Sequence, residues 1–487
     1  YIDTAMERIA PDLILKGGNV VDVFSGRVIK ADVIIKDGII CGVGSYSGEN
    51  EQDVSGKYIM PGFIDSHVHI ESSMTQPSEY AKAVMPHGIT TVIADPHEIT
   101  NVCGEDGLEF MLKSAKNIPL DVNLMLPSCV PATPFEHTGA NLDAKTTQKL
   151  APKFFGIGEM MNYPGIVSGD DETLGKLCLD IIDGHAPLLS GHELDAYASA
   201  GIKTDHECSV VEEMTEKISK GMYILLREGT LSLDVAKLIK GVTPYTLRRC
   251  AFCTDDRFVG EIIRDGSIDH CIRKAVSLGL NNIDAIIMAT LNACEIYGMK
   301  NKGAIAPSYV ADIVVADDLN LSSISQVYKN GKLVCENGKA LFECETVDNS
   351  KVTNTVHLPK ISADFFKTDV KDKFDAIELI PESIITKKVT VSYSDSLSKV
   401  CVIERHHNLG TKGIGFVTNY GITNGAIATS IGHDSHNVIV IGDNDSDMAL
   451  AVNTLATSGG IAVCSEGKVI ASMTLDIAGL MSVKSAD

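Results

Sequence analysis

The sequence predicts an α/β protein. Its centre is a TIM-like (β/α)8 barrel, joined to a small composite β-sandwich built from both flanks of the barrel and followed by an additional C-terminal α/β domain. Three observations predict this. Eight short apolar segments recur between residues 60 and 254, most of them separated by roughly 10–20 residues with helical spacing. The stretches on either side have another texture, in which apolar strands alternate with turn residues. The tail after residue 345 takes up strands and helices again.

In chain order, the first flank carries Leu13-Ile14-Leu15 before Lys16-Gly17-Gly18, and Val33-Ile34-Ile35 before Lys36-Asp37-Gly38. Asp-Gly between alternating apolar runs is a hairpin signal. The texture returns in Ile313-Val314-Val315-Ala316 and in Val327 to Val334, which contains Asn330-Gly331. Residues 1–60 plus 303–345 are therefore expected to form one composite β domain, with 61–302 inserted as the barrel. Barrel strands are expected at 60–66, 89–94, 120–126, 154–159, 179–184, 201–205, 222–227 and 249–254. Pro77 to Met85 and Ser209 to Ile218 have helical spacing between them. The tail, 346–487, opens with a polar stretch over 348–373. Strands follow at Val400–Ile403, Gly425–Ala428, Val438–Ile441, Ile461–Val463 and Val469–Ala471, with a helix near Ser446–Ser458. The run Gly442 to Asp447 reads as an acidic helix N-cap, because the spaced Gly and closing Glu of a calcium loop are missing.

Apolar residues make up 44% and charged residues 22%, a globular balance that excludes disorder as the main state. The net charge of −22 repels phosphate backbones and anionic membrane surfaces, so neither nucleic acid nor membrane is expected as a partner. No uninterrupted apolar window of about 18 residues occurs, and the start lacks a basic-then-apolar secretory pattern, so a cytoplasmic location is expected. The 13 cysteines are scattered and odd in number, which suits free thiols in a reducing compartment. The pair Cys250 and Cys253 lacks the second pair that a zinc site needs and reads as two thiols on an apolar strand. Barrels of this size commonly self-associate, and a homodimer is the expectation.

The chemistry is written at strand ends. Pro61 to Val68 runs into His67-Val68-His69, and residues i and i+2 of a strand share a side, so both imidazoles can serve one metal. The same event recurs. The fourth strand ends in Glu159, the fifth in Asp183-Gly184-His185, the sixth in Asp205-His206-Glu207, and the eighth in Thr254-Asp255-Asp256. The C-terminal ends of barrel strands are where active sites sit. Two divalent ions about 3.5–4 Å apart need a bridging carboxylate, terminal imidazoles and a shared hydroxide. Glu159 is the natural bridge, with His67, His69 and Asp255 on one ion and His185 and His206 on the other. Paired cations lower the pKa of the shared water, and Asp255 can accept the nucleophile's proton and pass it to a leaving group. Imidazole and carboxylate without thiolate suit Mn, Fe or Zn.

These motifs resemble the amidohydrolase superfamily, as does the return motif Gly303-Ala304-Ile305-Ala306-Pro307 with Ala311-Asp312-Ile313-Val314-Val315. Longer stretches resemble its adenine deaminase branch, in the bacterial and archaeal type. They include His69-Ile70-Glu71-Ser72-Ser73-Met74, Ala94-Asp95-Pro96-His97-Glu98-Ile99, Gly158-Glu159-Met160-Met161-Asn162-Tyr163-Pro164-Gly165 and Asp183-Gly184-His185-Ala186-Pro187. Asp205-His206-Glu207-Cys208, Arg227-Glu228-Gly229, Arg405-His406-His407 and His433-Asp434-Ser435-His436-Asn437 continue the match, from about residue 10 to the end. The resemblance implies hydrolysis of adenine to hypoxanthine and ammonia at a two-metal centre, with manganese first and iron or zinc as the other choices. Many superfamily members bridge their metals with a carbamylated Lys from the fourth strand. Glu159 stands there instead, as in the adenine deaminase branch. One departure is Ser308, where the return motif is expected to carry Gly.

The expected reaction needs a shuttle for the leaving amine, assigned to Asp255, and an acid for purine N1, for which Glu207, Glu71 and His97 are the candidates. Asp95, Arg227 and His436 are candidate substrate contacts. For Asp95 the alternative is a role in orienting ligands, and for Arg227 an ion pair with a neighbouring carboxylate. The tail histidines, His406, His407, His433 and His436, form either a solvated loop or a cover over the barrel mouth. Two other functions compete: a cyclic amidase of the same superfamily, and a barrel kept as a scaffold without catalysis. Glu159 and the long tail speak against the first, and the complete ligand set against the second. The cytidine-type deaminase route is rejected, since Arg249 rather than Pro precedes Cys250 and no fitting His-x-Glu occurs.

Overall fold

Eight short strands run parallel around a common axis: Phe63–Val68, Ile89–Ala94, Asp121–Leu126, Gly156–Met160, Ile182–Gly184, Thr204–Asp205, Tyr223–Arg227 and Cys250–Cys253. A computed structural model describes residues 1–369, 372–381, 385–392 and 397–486. The first five strands form one ladder and the last three another. At one seam Val68 pairs with Asp255, whose N–H donates to the His67 carbonyl at 2.9 Å. At the other the Gly184 N–H donates to Thr204 Oγ1 at 3.1 Å. The barrel is therefore closed, and every predicted barrel segment overlaps one of its strands, the first strand running on past its segment to Val68 and the fourth to Met160. Side chains alternate as period two requires. Ile93, Leu225, Ala251 and Cys253 belong to the inner clusters, while Val92, Ile224, Leu226, Cys250 and Phe252 pack with the surrounding helices. Helix Ile268–Ser277 shows why those helices form: Ile268, Cys271, Ile272 and Ala275 make one buried stripe at helical spacing.

The flanks form one continuous nine-stranded sheet. Strand Ile313–Ala316, from the second flank, pairs with strand Tyr58–Pro61 from the first. Both sheet faces are buried. Ile59, Ile313 and Val315 join Val20 and Val33 in the sheet's own core, while Met60, Val314 and Ala316 pack against the barrel. A buried ion network pins this sheet to the barrel. Lys329 Nζ donates to both oxygens of Asp312, at 2.9 and 2.8 Å, and to Asp121 at the start of the third barrel strand at 2.9 Å. Lys302 adds a bond to Asp312 at 2.8 Å. Ser308 sits at φ 74, the left-handed region that explains the expectation of glycine in that turn.

Among the described residues the tail is an eight-stranded sheet, antiparallel except where strand Phe374–Leu379 meets strand Lys412–Thr418. Instead of regular strand–helix alternation, the long helix is Asp445–Thr454, laid against the sheet through Met448, Ala451 and Val452. Its N-cap is Asn444, whose side chain accepts the Asp447 N–H, and the acidic run indeed serves as a helix start. Positions 370 and 371 of the polar stretch lie outside the described residues. The chain's last described turn returns to the barrel: Ile477, Ala478, Leu480 and Met481 are buried in the barrel's hydrophobic cluster, and the Ser482 N–H donates to the Met74 carbonyl at 2.8 Å. Among the described residues no helix is long and apolar enough to cross a membrane.

Two outcomes follow for stability. Burial pushes the Asp312 carboxyl up, but Lys329 and Lys302 outweigh it and hold the pKa below its ordinary value. A depressed carboxyl stabilises the fold above its unfolded pKa of about 3.9 and loses that contribution as pH falls through the folded value. Asp312→Ala, which strands two lysines, should cost about 3 kcal/mol in urea unfolding at pH 7, with the deficit shrinking below about pH 4. Ser308→Gly should gain about 0.5–1 kcal/mol by releasing the left-handed turn, read as a rise in midpoint.

Candidate metal centre

His67 and His69 come from the first barrel strand and the residue just past it, and the strand's register shifts between Asp65 and Val68. Their Nε2 atoms face each other at 3.1 Å. Asp65 clamps the neighbouring strand, accepting the Thr254 N–H at 3.0 Å and its hydroxyl at 2.5 Å. The next residue, Asp255, takes a left-handed φ of 58°. Its Oδ1 lies 3.1 Å from His69 Nε2 and 3.7 Å from His67 Nε2.

Glu159 rises from the fourth strand into the middle of the imidazoles. Its two oxygens are divided between them. Oε1 faces His69 Nε2 at 3.5 Å and His97 Nδ1 at 3.3 Å. Oε2 faces His185 Nδ1 at 2.8 Å, His206 Nε2 at 3.0 Å and His67 Nε2 at 3.9 Å. Burial opposes a charge on Glu159, but His185 and His206 overcome it and hold the carboxyl well below the usual range. Burial likewise opposes a cation at His185, yet Glu159 raises its pKa to about 9.

The backbone of Glu159 is held as firmly as its side chain. Asp95 Oδ2 accepts its N–H at 3.0 Å, and its carbonyl accepts the Ser128 hydroxyl at 2.6 Å. A Cβ on Gly158 would meet the Asp95 carboxylate at 2.3 Å, so any larger residue before Glu159 has to displace Asp95. The Asp95 carbonyl also sits 2.8 Å from His69 Nδ1, leaving Nε2 for the centre. On the fifth strand, Asp183 Oδ2 stands 3.5 Å from His67 Nδ1, while Asp183 Oδ1 accepts the Tyr297 hydroxyl at 2.9 Å and the Thr204 hydroxyl at 2.8 Å. Asp205 accepts the Ala186 N–H at 2.9 Å and is neutralised by buried Lys217 at 2.9 Å, fixing the loop that carries His185.

The structure thus brings His67, His69, Glu159, His185, His206 and Asp255 together, with His97 joining them. It places the other sequence candidates differently. Asp95 is buried and turned into the wall toward Glu159, the orienting alternative rather than a substrate contact. Arg227 is buried and saturated: Nη1 meets Glu207 and, at 2.9 Å, Asp255, while Nε and Nη2 meet Asp234 at 3.2 Å. The ion-pair alternative holds there, because three carboxylates occupy the guanidinium. His436 is fully buried beside His433, ring centroids 5.3 Å apart, and neither of its ring nitrogens has a hydrogen-bond partner. Glu71 is buried, with Oε1 taking the Ile99 N–H at 3.2 Å and Oε2 lacking a partner. Burial, with Glu98 beside it, raises its pKa to about 8. The tail does cover the mouth: His407 Nε2 is 2.9 Å from the Thr138 carbonyl, Asn437 donates to His137 at 2.8 Å, and Asp434 Oδ1 reaches within 3.8 Å of His97 Nε2. Sequence reasoning gave Asp183 no role, although its place two residues before His185 on one strand was a usable signal.

The donor set fits divalent ions. His67, His69 and Asp255 offer three atoms within 4.8 Å of one another, and so do His67, Glu159 and His206. Buried imidazoles and acids at such separations are short of hydrogen bonds: His67 Nδ1, His206 Nδ1 and both nitrogens of His97 have none. Gly158→Ala should displace Asp95, release the Glu159 N–H and lower metal content by at least half, measured by plasma emission on folded protein.

Comparison with known proteins places the chain in a family. The amidohydrolase family model matches residues 58–334, and the adenine deaminase C-terminal domain model matches 379–487. The adenine deaminase of Clostridium acetobutylicum is 47% identical over 507 residues, covering 100% of this chain and 89% of its own length. Adenine deaminase 2 of Desulfotalea psychrophila is 46% identical, covering 99% and 87%. Among solved structures an enamidase of the amidohydrolase superfamily superposes with a TM-score of 0.51 at 18% identity, covering 67% of this chain and 96% of its own, a likeness of fold. A barrel with this ligand-bearing rim, matched over its whole length at such identity, belongs to the amidohydrolase family and, within it, to the adenine deaminases.

Proposed function

We propose that this chain hydrolyses adenine to hypoxanthine and ammonia, serving purine salvage or adenine catabolism. The observation that carries the reading is Glu159, with its oxygens split between two sets of imidazoles, in a chain 47% identical to an adenine deaminase. His67, His69 and Asp255 would hold one divalent ion and His185 and His206 the other, with Glu159 shared. Manganese is the first choice, iron or zinc the others. Bound there, the ions would supply Lewis acidity and lower the pKa of a water between them.

The residues of the chain do the rest. Attack of water oxygen on adenine C6 moves electron density onto N1, and the C6–N bond then breaks to release ammonia. Asp255 accepts the proton of the attacking water and hands it to the departing amine. Its Oδ2 is fixed by Arg227 at 2.9 Å, and its Oδ1 faces His69 at 3.1 Å, so it is aimed before substrate arrives. N1 needs a proton donor, which regains its proton from the C6 hydroxyl as that group becomes the carbonyl of hypoxanthine. Glu207 is committed to Arg227, and His97 faces Glu159, whereas Glu71 keeps Oε2 unpartnered, which favours Glu71. Asp95, Ser128 and Asp183 position the ligands without touching the purine.

The test is the ultraviolet change on adenine loss in manganese-replete protein, with metal analysis alongside. Asp255→Asn should lose about 10³-fold or more in turnover while the ions mostly remain. Near-normal turnover in that variant would remove the shuttle role. No conversion of adenine by the wild type, with opening of a cyclic amide instead, would move the chain to the cyclic amidases.

A further inference from the structure

His97 has two nitrogens, and only Nδ1 turns toward the centre. Its Nε2 points to the tail, where Asp434 Oδ1 stands 3.8 Å away. The same oxygen is 3.8 Å from His433 Nδ1. Neither separation is a hydrogen bond. Both are close to the roughly 3.4 Å between two ligands of a tetrahedral ion with bonds of about 2.1 Å. His97, His433 and Asp434 offer three donor atoms within 4.8 Å of one another.

A second observation is independent of those distances. His97 is 3% exposed, and neither ring nitrogen has a hydrogen-bond partner. Leaving a buried imidazole unpaired is costly, and a ligand at Nε2 would remove that cost. Its surroundings suit that role. Nδ1 lies 3.3 Å from Glu159 Oε1 and 3.8 Å from Asp95 Oδ2, so a proton on Nδ1 faces acids and the lone pair on Nε2 faces Asp434. Metal-bound imidazoles characteristically turn their other N–H to a carboxylate in this way. His436, fully buried and unpartnered at both nitrogens, adds a neighbouring imidazole. His433 is exposed, which leaves a path from solvent.

We propose that His97, His433 and Asp434 hold a further divalent transition-metal ion, distinct from the shared centre around Glu159. Two imidazoles and one carboxylate with an open position suit zinc, cobalt, manganese or iron. One ligand comes from the barrel and two from the tail, so the ion ties the covering domain to the mouth. Through His97 it is separated from Glu159 by a single imidazole.

The test counts ions. Full-length protein, stripped by chelator, is dialysed to saturation against cobalt or zinc, and the ions per chain are measured for wild type, Asp434→Asn and His433→Gln. The expected result is one ion fewer in each variant than in wild type, with circular dichroism and thermal midpoint in cobalt-free buffer unchanged. Equal stoichiometry in wild type and both variants overturns the site. The count builds on the two-ion reading, but the failures are distinguishable: the difference between wild type and variants tests the further site, and the ions that remain in the variants test the shared centre.

Discussion

A carboxylate buried at the heart of the barrel, Glu159, is the constraint that the surrounding structure answers. Charge in such a place is tolerated only with cationic or metal partners and a full set of hydrogen bonds. Imidazoles from the first, fifth and sixth strand ends, and His97 after the second, supply the partners. Asp95 and Ser128 hold the backbone on either side. Because these groups sit on five different strand ends, the arrangement exists only when the barrel is closed. The Val68–Asp255 pairing and the Asp65–Thr254 clamp perform that closure directly beneath the ligands.

Acids around the centre are matched to bases rather than left to the solvent. Arg227 joins Asp255, Glu207 and Asp234, and Lys217 joins Asp205 and Glu213. These networks set side-chain direction more than stability, since buried ion pairs gain little net free energy over apolar packing. The consequence for chemistry is that Asp255 and Glu207 cannot drift. Side chains held in place in advance cost no reorganisation when a ligand arrives.

The covering tail depends on another buried charge. Arg405 is fully buried, and its guanidinium donates to the carbonyls of His436 and Ala478 and to the Thr355 hydroxyl. It therefore joins the loop that faces His97 to the segment that plugs into the barrel core. Burial lowers its pKa to about 10, still well above neutral. Through Arg405 the loop 433–436 is linked to the segment buried in the barrel cluster, beside the direct bonds from His407 to Thr138 and from Asn437 to His137.

Much of this was legible in the residues themselves. Eight apolar runs marked eight strands, although the fifth and sixth pair over only Ile182–Gly184 and Thr204–Asp205, because an apolar run does not say how much of it finds a neighbour. Period two and the C-terminal ends of parallel strands determined that His67, His69, Glu159, His185, His206 and Asp255 would share one rim, and both rules are local. Which groups face one another is not local. Arg227 was free to reach a purine until Glu207, Asp255 and Asp234, from other strand ends and a following loop, occupied it. Asp95 was free to reach a ligand until the Glu159 N–H claimed it. Asp434 meets His97 only because the far end of the chain folds back across the barrel. The sequence by itself determined the chemical inventory of the rim; the closed barrel and the returning tail decided its pairings, because a side chain's direction is set by which partners reach it, and those partners lie far away along the chain.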